Sequence, residues 1–123
     1  MIAVDWGGTR LRAYRLAADG LVLERRRSNE GALACHGRFG KVLGALLADW
    51  DDPLVVMAGM VGARVGWIEV PYVRCPADAA ALAAGMLHLD ASLEAPGLAR
   101  RTLWCVPGVA DHGPLVGDVM RGE

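Results

Sequence analysis

The N-terminal segment constrains the fold more than any other part of the chain, because it predicts two short strands joined by a tight glycine turn. Its sequence is Met1-Ile-Ala-Val-Asp-Trp-Gly-Gly-Thr-Arg-Leu-Arg12. Glycines can adopt positive φ and turn their backbone N–H groups toward a ligand. A threonine hydroxyl and two guanidinium groups beside such amides suit phosphate oxygens. The segment therefore predicts either a phosphate-binding hairpin or an ordinary glycine hairpin with arginines on its surface.

Asp5 closes the first predicted strand, one residue before the glycine pair. A carboxylate at this position could hold a magnesium ion through the water molecules of the ion's hydration shell. We therefore predict Asp5 as the metal-binding residue of the hairpin.

Length and composition predict one folded domain. The chain has 123 residues, of which 54% are hydrophobic, and this fraction argues against intrinsic disorder. The net charge of −1 argues against a nucleic-acid partner. No apolar run approaches the ~18 residues that cross a bilayer, so we expect no membrane partner. Three cysteines without a C-x-x-C pair predict reduced thiols and a cytoplasmic protein.

The first part of the chain reads as a three-stranded antiparallel meander. Residues 1–5, 9–17 and 21–26 form its predicted strands, and Asp19-Gly20 carries a hairpin-turn signal. The rest of the chain continues the pattern, so that the predicted order is β-β-β-α-β-α-β in an α/β fold.

The later elements follow from apolar spacing and capping residues. A stripe at helical spacing predicts a helix over residues 39–50. The wholly apolar residues 54–57 predict a strand buried on both faces, typically a parallel one. Asp78 is placed to cap a helix within residues 76–89. A further strand is expected at 102–106 and a new helix from Asp118.

A glycine-rich segment follows the buried strand and is the second candidate site. In open α/β sheets, ligands bind beyond the carboxyl ends of the strands. Arg64 suits a carboxylate by bidentate pairing, and Trp67 or Tyr72 could cover a sugar-sized face. The alternative is a glycine-rich hairpin in which Trp67 packs as a lid on the core.

Three blocks of the sequence resemble the 2-dehydro-3-deoxygalactonokinase family of the sugar kinase/actin/Hsp70 superfamily. The resemblance spans essentially the whole chain and implies a ribonuclease-H-like lobe, with three antiparallel strands followed by parallel strands and helices. The blocks are Asp5-Trp-Gly-Gly-Thr-Arg-Leu-Arg12, then Met57-Ala-Gly-Met-Val-Gly-Ala-Arg-Val-Gly-Trp-Ile-Glu-Val-Pro-Tyr72, then Val106-Pro-Gly108 with Asp118-Val-Met-Arg-Gly-Glu123.

The resemblance implies ATP-dependent phosphorylation of 2-dehydro-3-deoxy-D-galactonate to its 6-phosphate in galactonate catabolism, with ATP and Mg²⁺ as cofactors. It implies that Gly7, Gly8 and Thr9 face the β- and γ-phosphates, with Arg10 in the same loop. Asp5 would then steer the magnesium ion.

The same resemblance implies roles for two further groups of residues. The small sugar acid would be bound by Gly62, Arg64, Trp67 and Tyr72. The catalytic residues would come from the start of a helix, with Glu123, or an acidic residue just beyond it, favoured as the base. This catalytic group comprises Asp118, Arg121 and Glu123.

The chain carries no counterpart of the second lobe of the family, which has its own phosphate loop. We therefore expect residues 1–123 to form the N-terminal lobe of a two-lobe sugar kinase and to be inactive alone. The intact protein would phosphorylate its sugar acid, with a homodimer as a possible assembly. The alternatives are a non-catalytic nucleotide- or sugar-binding member of the same superfamily, or an inert fragment. The absence of P-loop and dinucleotide-binding motifs argues against those enzyme classes.

Overall fold

The computed structural model describes residues 1–114 and 117–121. In that part of the chain the strands are β1 Ile2–Trp6, β2 Leu11–Leu16, β3 Val22–Ser28, β4 Leu54–Ala58, β5 Val73–Arg74, β6 Leu87–Leu89, β7 Thr102–Cys105, β8 Val109–Asp111 and β9 Asp118–Met120. The α-helices are α1 Phe39–Leu46 and α2 Ala79–Ala84, and single 3-10 turns lie at Ala32–Ala34, Met60–Gly62 and Pro96–Leu98. Among the described residues, no helix is both long and apolar enough to cross a bilayer.

Six strands form a mixed sheet in the order β3-β2-β1-β4-β7-β6. β1, β2 and β3 pair antiparallel, as the meander predicts. β4 lies parallel to both β1 and β7, which confirms the expected parallel pairing. The expected burial on both faces is wrong, because Val55 and Met57 are buried whereas Leu54 on the opposite face is exposed. The mixed α/β architecture is therefore confirmed. The carboxyl ends of β1, β4 and β7 meet at one edge of this sheet, and both candidate segments begin there.

One face of the sheet carries the core. Alternate residues of the central strands are buried on this face, where α1 covers them. The apolar stripe predicted for α1 is confirmed, although the α-helix ends at Leu46 and Trp50 is buried beyond its end. The buried strand residues are Ile2, Val4, Trp6, Leu11, Ala13, Val55, Met57, Leu103 and Cys105, and α1 and its C-terminal end add Phe39, Val42, Leu43, Leu47 and Trp50.

The predicted helix over residues 76–89 is correct at its start and wrong at its end. Asp78 caps α2, because its Oδ1 accepts a hydrogen bond from the Ala81 N–H at 2.8 Å. The helix ends at Gly85, where a Cβ would lie 2.8 Å from the Val73 Cγ2 atom. The chain then forms β6, which pairs antiparallel with the exposed edge of β7. Pairing with a distant strand therefore overrides the helical propensity of this segment.

The helix predicted from Asp118 is wrong, because Asp118–Met120 is strand β9. β9 pairs antiparallel with β8. β5, β8 and β9 form a separate three-stranded sheet. The Asp118 Oδ1 atom accepts a hydrogen bond from the adjacent Val119 N–H. A helix N-cap would instead accept from a residue two or three positions further along the chain.

Candidate functional site

The glycine turn between β1 and β2 is held by its carbonyl groups. The carbonyls of Gly7 and Gly8 accept hydrogen bonds from the N–H groups of Ala32 and Leu33, at 2.8 and 3.1 Å. The Gly7 N–H donates to the Arg10 carbonyl at 2.9 Å. Within the part of the chain that the structure describes, the N–H groups of Gly8 and Thr9 donate to no protein acceptor. Free backbone donors of this kind can bind an anion.

The turn does not use positive φ at Gly7 or Gly8, so that part of the sequence-based expectation is wrong. The required glycines lie instead in the segments packed against it. A Cβ on Gly31 would lie closer than 3.0 Å to the backbone of Gly8 and Thr9. Gly59 has a φ of 106°, and its Cβ would lie 2.6 Å from the Trp6 carbonyl oxygen. Sequence reasoning missed both roles, and their only signal was a glycine in a loop or after a buried strand.

The structure brings together all the residues predicted for the phosphate site. They line a cavity of about 500 Å³. Asp5 accepts from Arg12 across the β1–β2 ladder, with 3.3 Å between Oδ2 and Nη1. Arg12 in turn lies opposite Arg27 of β3. Two like charges directly opposite each other destabilise a sheet unless an anion lies close to both. The lining residues are Asp5, Gly7, Gly8, Thr9, Arg10 and Arg12.

The metal-binding role of Asp5 can be tested against its surroundings. In residues 1–114 and 117–121, no group of three His, Cys, Asp or Glu side chains could hold a metal ion. Among the described residues, Asp5 is the one carboxylate that lines the cavity. The residues therefore fit a magnesium ion that is carried by phosphate oxygens and contacted by Asp5 through water, which is the usual form of Mg²⁺ binding.

Trp67 both packs on the core and lines a cavity, so the two interpretations of this residue are compatible. Its ring stacks on Phe39, with 5.8 Å between centroids and 7° between planes. It also meets the edge of Trp6 at 6.1 Å. The indole Nε1 donates to Glu94, whose two carboxylate oxygens both lie at 3.1 Å. The Phe39 and Trp67 rings and Glu94 border a cavity of about 310 Å³ at the start of α1.

The other residues predicted for the sugar acid do not line this cavity. The guanidinium of Arg121 stacks on the Tyr72 ring, with its Cζ atom 4.0 Å from the ring centroid. Arg121 Nη2 donates to the Val70 carbonyl at 2.7 Å, and a Cβ on Gly62 would lie 3.3 Å from its Nη1 atom. Arg64 is exposed. Arg121 thus contacts Tyr72 and lies beside Gly62, whereas Trp67 lines the cavity at the start of α1.

The predicted catalytic residues are only partly described. Asp118 is exposed and faces Asp111 in the β8–β9 ladder. Arg121 is half-buried, and its Nε and Nη1 atoms have no hydrogen-bond partner among the described residues. Glu123 lies outside the described residues.

The cysteines carry free thiols. Burial raises the pKa of the Cys35 thiol, and it raises the pKa of Cys105 to about 11. Both groups therefore stay protonated near neutral pH, and neither is an activated nucleophile. Cys105 fills the core side of β7.

Comparison with known proteins gives a consistent result. The family model described as 2-keto-3-deoxy-galactonokinase matches residues 5–123. The chain is 34% identical to the 2-dehydro-3-deoxygalactonokinase of Escherichia coli (strain K12), over 99% of this chain and 39% of that protein. It is 36% identical to a protein named as a probable 2-dehydro-3-deoxygalactonokinase in Rhizobium meliloti (strain 1021), over 98% of this chain and 39% of that protein.

A solved structure agrees with these matches. The crystal structure of a protein given the name 2-dehydro-3-deoxygalactonokinase, from Sinorhizobium meliloti, superposes with a TM-score of 0.83. The two sequences are 34% identical over 98% of this chain and 38% of that one. The chain thus spans about two fifths of the length of the relatives that it matches. Because the family model covers nearly all of its residues, this chain belongs to the 2-keto-3-deoxy-galactonokinase family.

Proposed function

We propose that the protein carrying this chain phosphorylates 2-dehydro-3-deoxy-D-galactonate at its 6-hydroxyl, with ATP as the donor. The observation that carries this proposal is a cavity of about 500 Å³ lined by free backbone N–H groups and arginines, in a chain of this family. Two of the most similar relatives are named for the same activity.

The glycine turn would hold the phosphates of the nucleotide. The N–H groups of Gly8 and Thr9, the Thr9 hydroxyl and the Arg10 guanidinium would donate to phosphate oxygens. Asp5 would orient water on the accompanying magnesium ion, and Arg12 would keep Asp5 in place through the 3.3 Å ion pair. When bound, MgATP supplies the phosphoryl group, and these residues position it and offset its charge.

A two-lobe arrangement is part of the proposal. We infer that the six-stranded sheet is the ribonuclease-H-like lobe of the kinase, and that residues 1–123 supply one side of the active site. The phosphate hairpin lies at the carboxyl edge of β1, next to the carboxyl end of β4, where ligands bind in open α/β sheets. A homodimer and a cytoplasmic location stay predictions.

The catalytic assignment stays with the C-terminal segment. We keep Glu123 as the favoured base, with Asp118 and Arg121 as its proposed companions. In the full-length protein, Glu123→Gln should lower kcat by at least about a hundredfold while KM for both substrates changes little, because a general base acts on the chemical step. An unchanged kcat would remove Glu123 from the mechanism.

The proposed function can be tested directly. The full-length protein should release ADP in the presence of ATP, Mg²⁺ and 2-dehydro-3-deoxy-D-galactonate, and EDTA should stop the reaction. Galactonate, which has hydroxyls in place of both the C2 keto group and the C3 methylene, is the control compound. Calorimetric binding of nucleotide or sugar acid without ADP release would instead support the non-catalytic alternative.

A further inference from the structure

The cavity at the start of α1 combines an aromatic wall with two opposite charges. Phe39 and Trp67 form the wall with their stacked rings, and Lys41 and Glu94 line the same space. Its volume of about 310 Å³ lies within the range of small-ligand sites. Apart from Trp67, sequence reasoning assigned none of these residues to a site.

The cavity lies on the same edge of the sheet as the phosphate hairpin. β3 runs in the same direction as β1, because both are antiparallel to β2. The 3-10 turn Ala32–Ala34 follows β3 and bonds to the Gly7 and Gly8 carbonyls, and α1 begins five residues after it. Trp6, which directly precedes the hairpin glycines, contacts Phe39 with 5.3 Å between ring centroids. A ligand in this cavity would therefore sit beside the phosphate site.

Lys41 is the cation available to a ligand. Arg38 also lines the cavity, but it pairs with Glu30 at 3.2 Å and donates to the Ala34 carbonyl at 2.9 Å. For Lys41, the chain's single lysine, no carboxylate lies within 4.0 Å in residues 1–114 and 117–121. An exposed ammonium beside a cavity can pair with the carboxylate of a small acid.

Glu94 is oriented toward the same space. The Trp67 Nε1–H is shared between the two carboxylate oxygens of Glu94, so most of the acceptor capacity of this carboxylate is free for other donors. Gly40 makes this position possible, because a Cβ there would lie 2.7 Å from the Glu94 Cβ. A carboxylate fixed by an indole suits the vicinal hydroxyls of a sugar.

We propose that this cavity binds the sugar acid, with Lys41 pairing with its carboxylate, Glu94 accepting from its hydroxyls, and Phe39–Trp67 packing against its carbon chain. The proposal rests on the proposed function and names the residues that would select the substrate. The methylene of a 3-deoxy acid places no hydroxyl against the aromatic wall, whereas a 3-hydroxyl there would lose hydration without a partner. Lys41 thereby replaces Arg64 as the carboxylate-binding cation.

The test compares arginine and lysine variants in the full-length protein. Lys41→Met should raise KM for the sugar acid by at least about tenfold and leave KM for ATP within about twofold, because one charge-assisted pair is lost. Arg100→Met, an exposed control, should leave both constants unchanged. Arg64→Met tests the competing assignment and should raise KM for the sugar acid less than Lys41→Met does. Lys41 is exposed, so thermal unfolding should confirm that all three variants fold normally.

A substrate analogue makes the test specific. If the carboxylate of the sugar acid is replaced by a hydroxymethyl group, the wild type and Lys41→Met should bind the analogue equally weakly. Glu94→Gln, which can still accept from Trp67, should raise KM for both compounds. A sugar-acid KM unchanged in Lys41→Met, or raised only in Arg64→Met, would overturn the inference alone. A wild type that phosphorylates no sugar acid would overturn the proposed function, and this inference with it.

Discussion

Replacing Gly59 with alanine should destabilise the chain more than almost any other single added methyl group. Gly59 has φ 106° and ψ −156°, a backbone conformation that is essentially restricted to glycine. The added Cβ would also lie 2.6 Å from the carbonyl oxygen and 3.0 Å from the carbonyl carbon of Trp6. Both atoms belong to the last residue of β1, directly before the phosphate hairpin.

The expected cost combines these two terms. Backbone strain contributes about 1–3 kcal/mol, and overpacking against fixed backbone atoms contributes about 1–3 kcal/mol. The lower entropy of the unfolded alanine chain offsets about 0.4–1 kcal/mol. The net loss is about 1–6 kcal/mol, a large share of the ~5–15 kcal/mol that is typical of a folded domain.

Three other glycines separate the terms. Gly20 has φ 87° with no atom within 4 Å of a Cβ, so alanine there meets strain alone. Gly31 has φ −67° but a Cβ closer than 3.0 Å to the hairpin backbone, so alanine meets the contact alone. At Gly97 alanine would have neither a positive φ nor an atom within 4 Å of its Cβ, so Gly97→Ala is the control. We expect Gly97→Ala to be neutral or stabilising, Gly20→Ala and Gly31→Ala to be intermediate, and Gly59→Ala to be the worst.

The assay is equilibrium urea unfolding followed by far-ultraviolet circular dichroism, with equal m-values as the condition for comparing free energies. If Gly59→Ala cost no more than Gly20→Ala, the close approach between Gly59 and Trp6 would be wrong. If Gly31→Ala and Gly97→Ala had the same free energy of unfolding, the close packing of Gly31 on the hairpin backbone would be wrong.

Three further predictions concern charge and the phosphate site. The hydrogen bond from the N-terminal amine, and after it the one from Arg15, lowers the pKa of Asp52 below its ordinary value of 3.8. The Asp52 carboxylate therefore stabilises the fold above pH 3.8, and this stabilisation is lost as the pH falls through the lowered pKa. Asp52→Asn should therefore cost about 1 kcal/mol in urea unfolding at neutral pH, and a difference from wild type that persisted in strong acid would contradict this. Arg101 donates to the carbonyls of Asp52, Leu47 and Trp50. Arg101→Lys should lower the free energy of unfolding by about 1–3 kcal/mol in the same assay, because one ammonium cannot replace the two separate donor nitrogens of the guanidinium. Thr9→Val in the full-length protein should raise KM for ATP about three- to tenfold and leave KM for the sugar acid unchanged, since it removes one phosphate-directed hydroxyl; an effect on the sugar acid alone would reverse the assignment.

The sequence by itself determined the elements whose signals are local. The helical stripe that begins at Phe39 and the cap at Asp78 could be predicted, because a helix depends on neighbours three or four residues away. The hairpin at Asp19-Gly20 is confirmed by the positive φ of Gly20 and by the Leu21 N–H donating to Asp19. The glycine hairpin could also be found, since its strand, turn and strand are contiguous.

Tertiary structure decided the features that join distant segments. The strand at Leu87–Leu89 exists because it pairs with β7, and β9 exists because it pairs with β8. Glu94 joins Trp67 across 27 residues, and Arg121 reaches the Val70 carbonyl across 51. Close packing and hydrogen bonding act through space, so no local pattern of residues could have indicated which of these partners would meet.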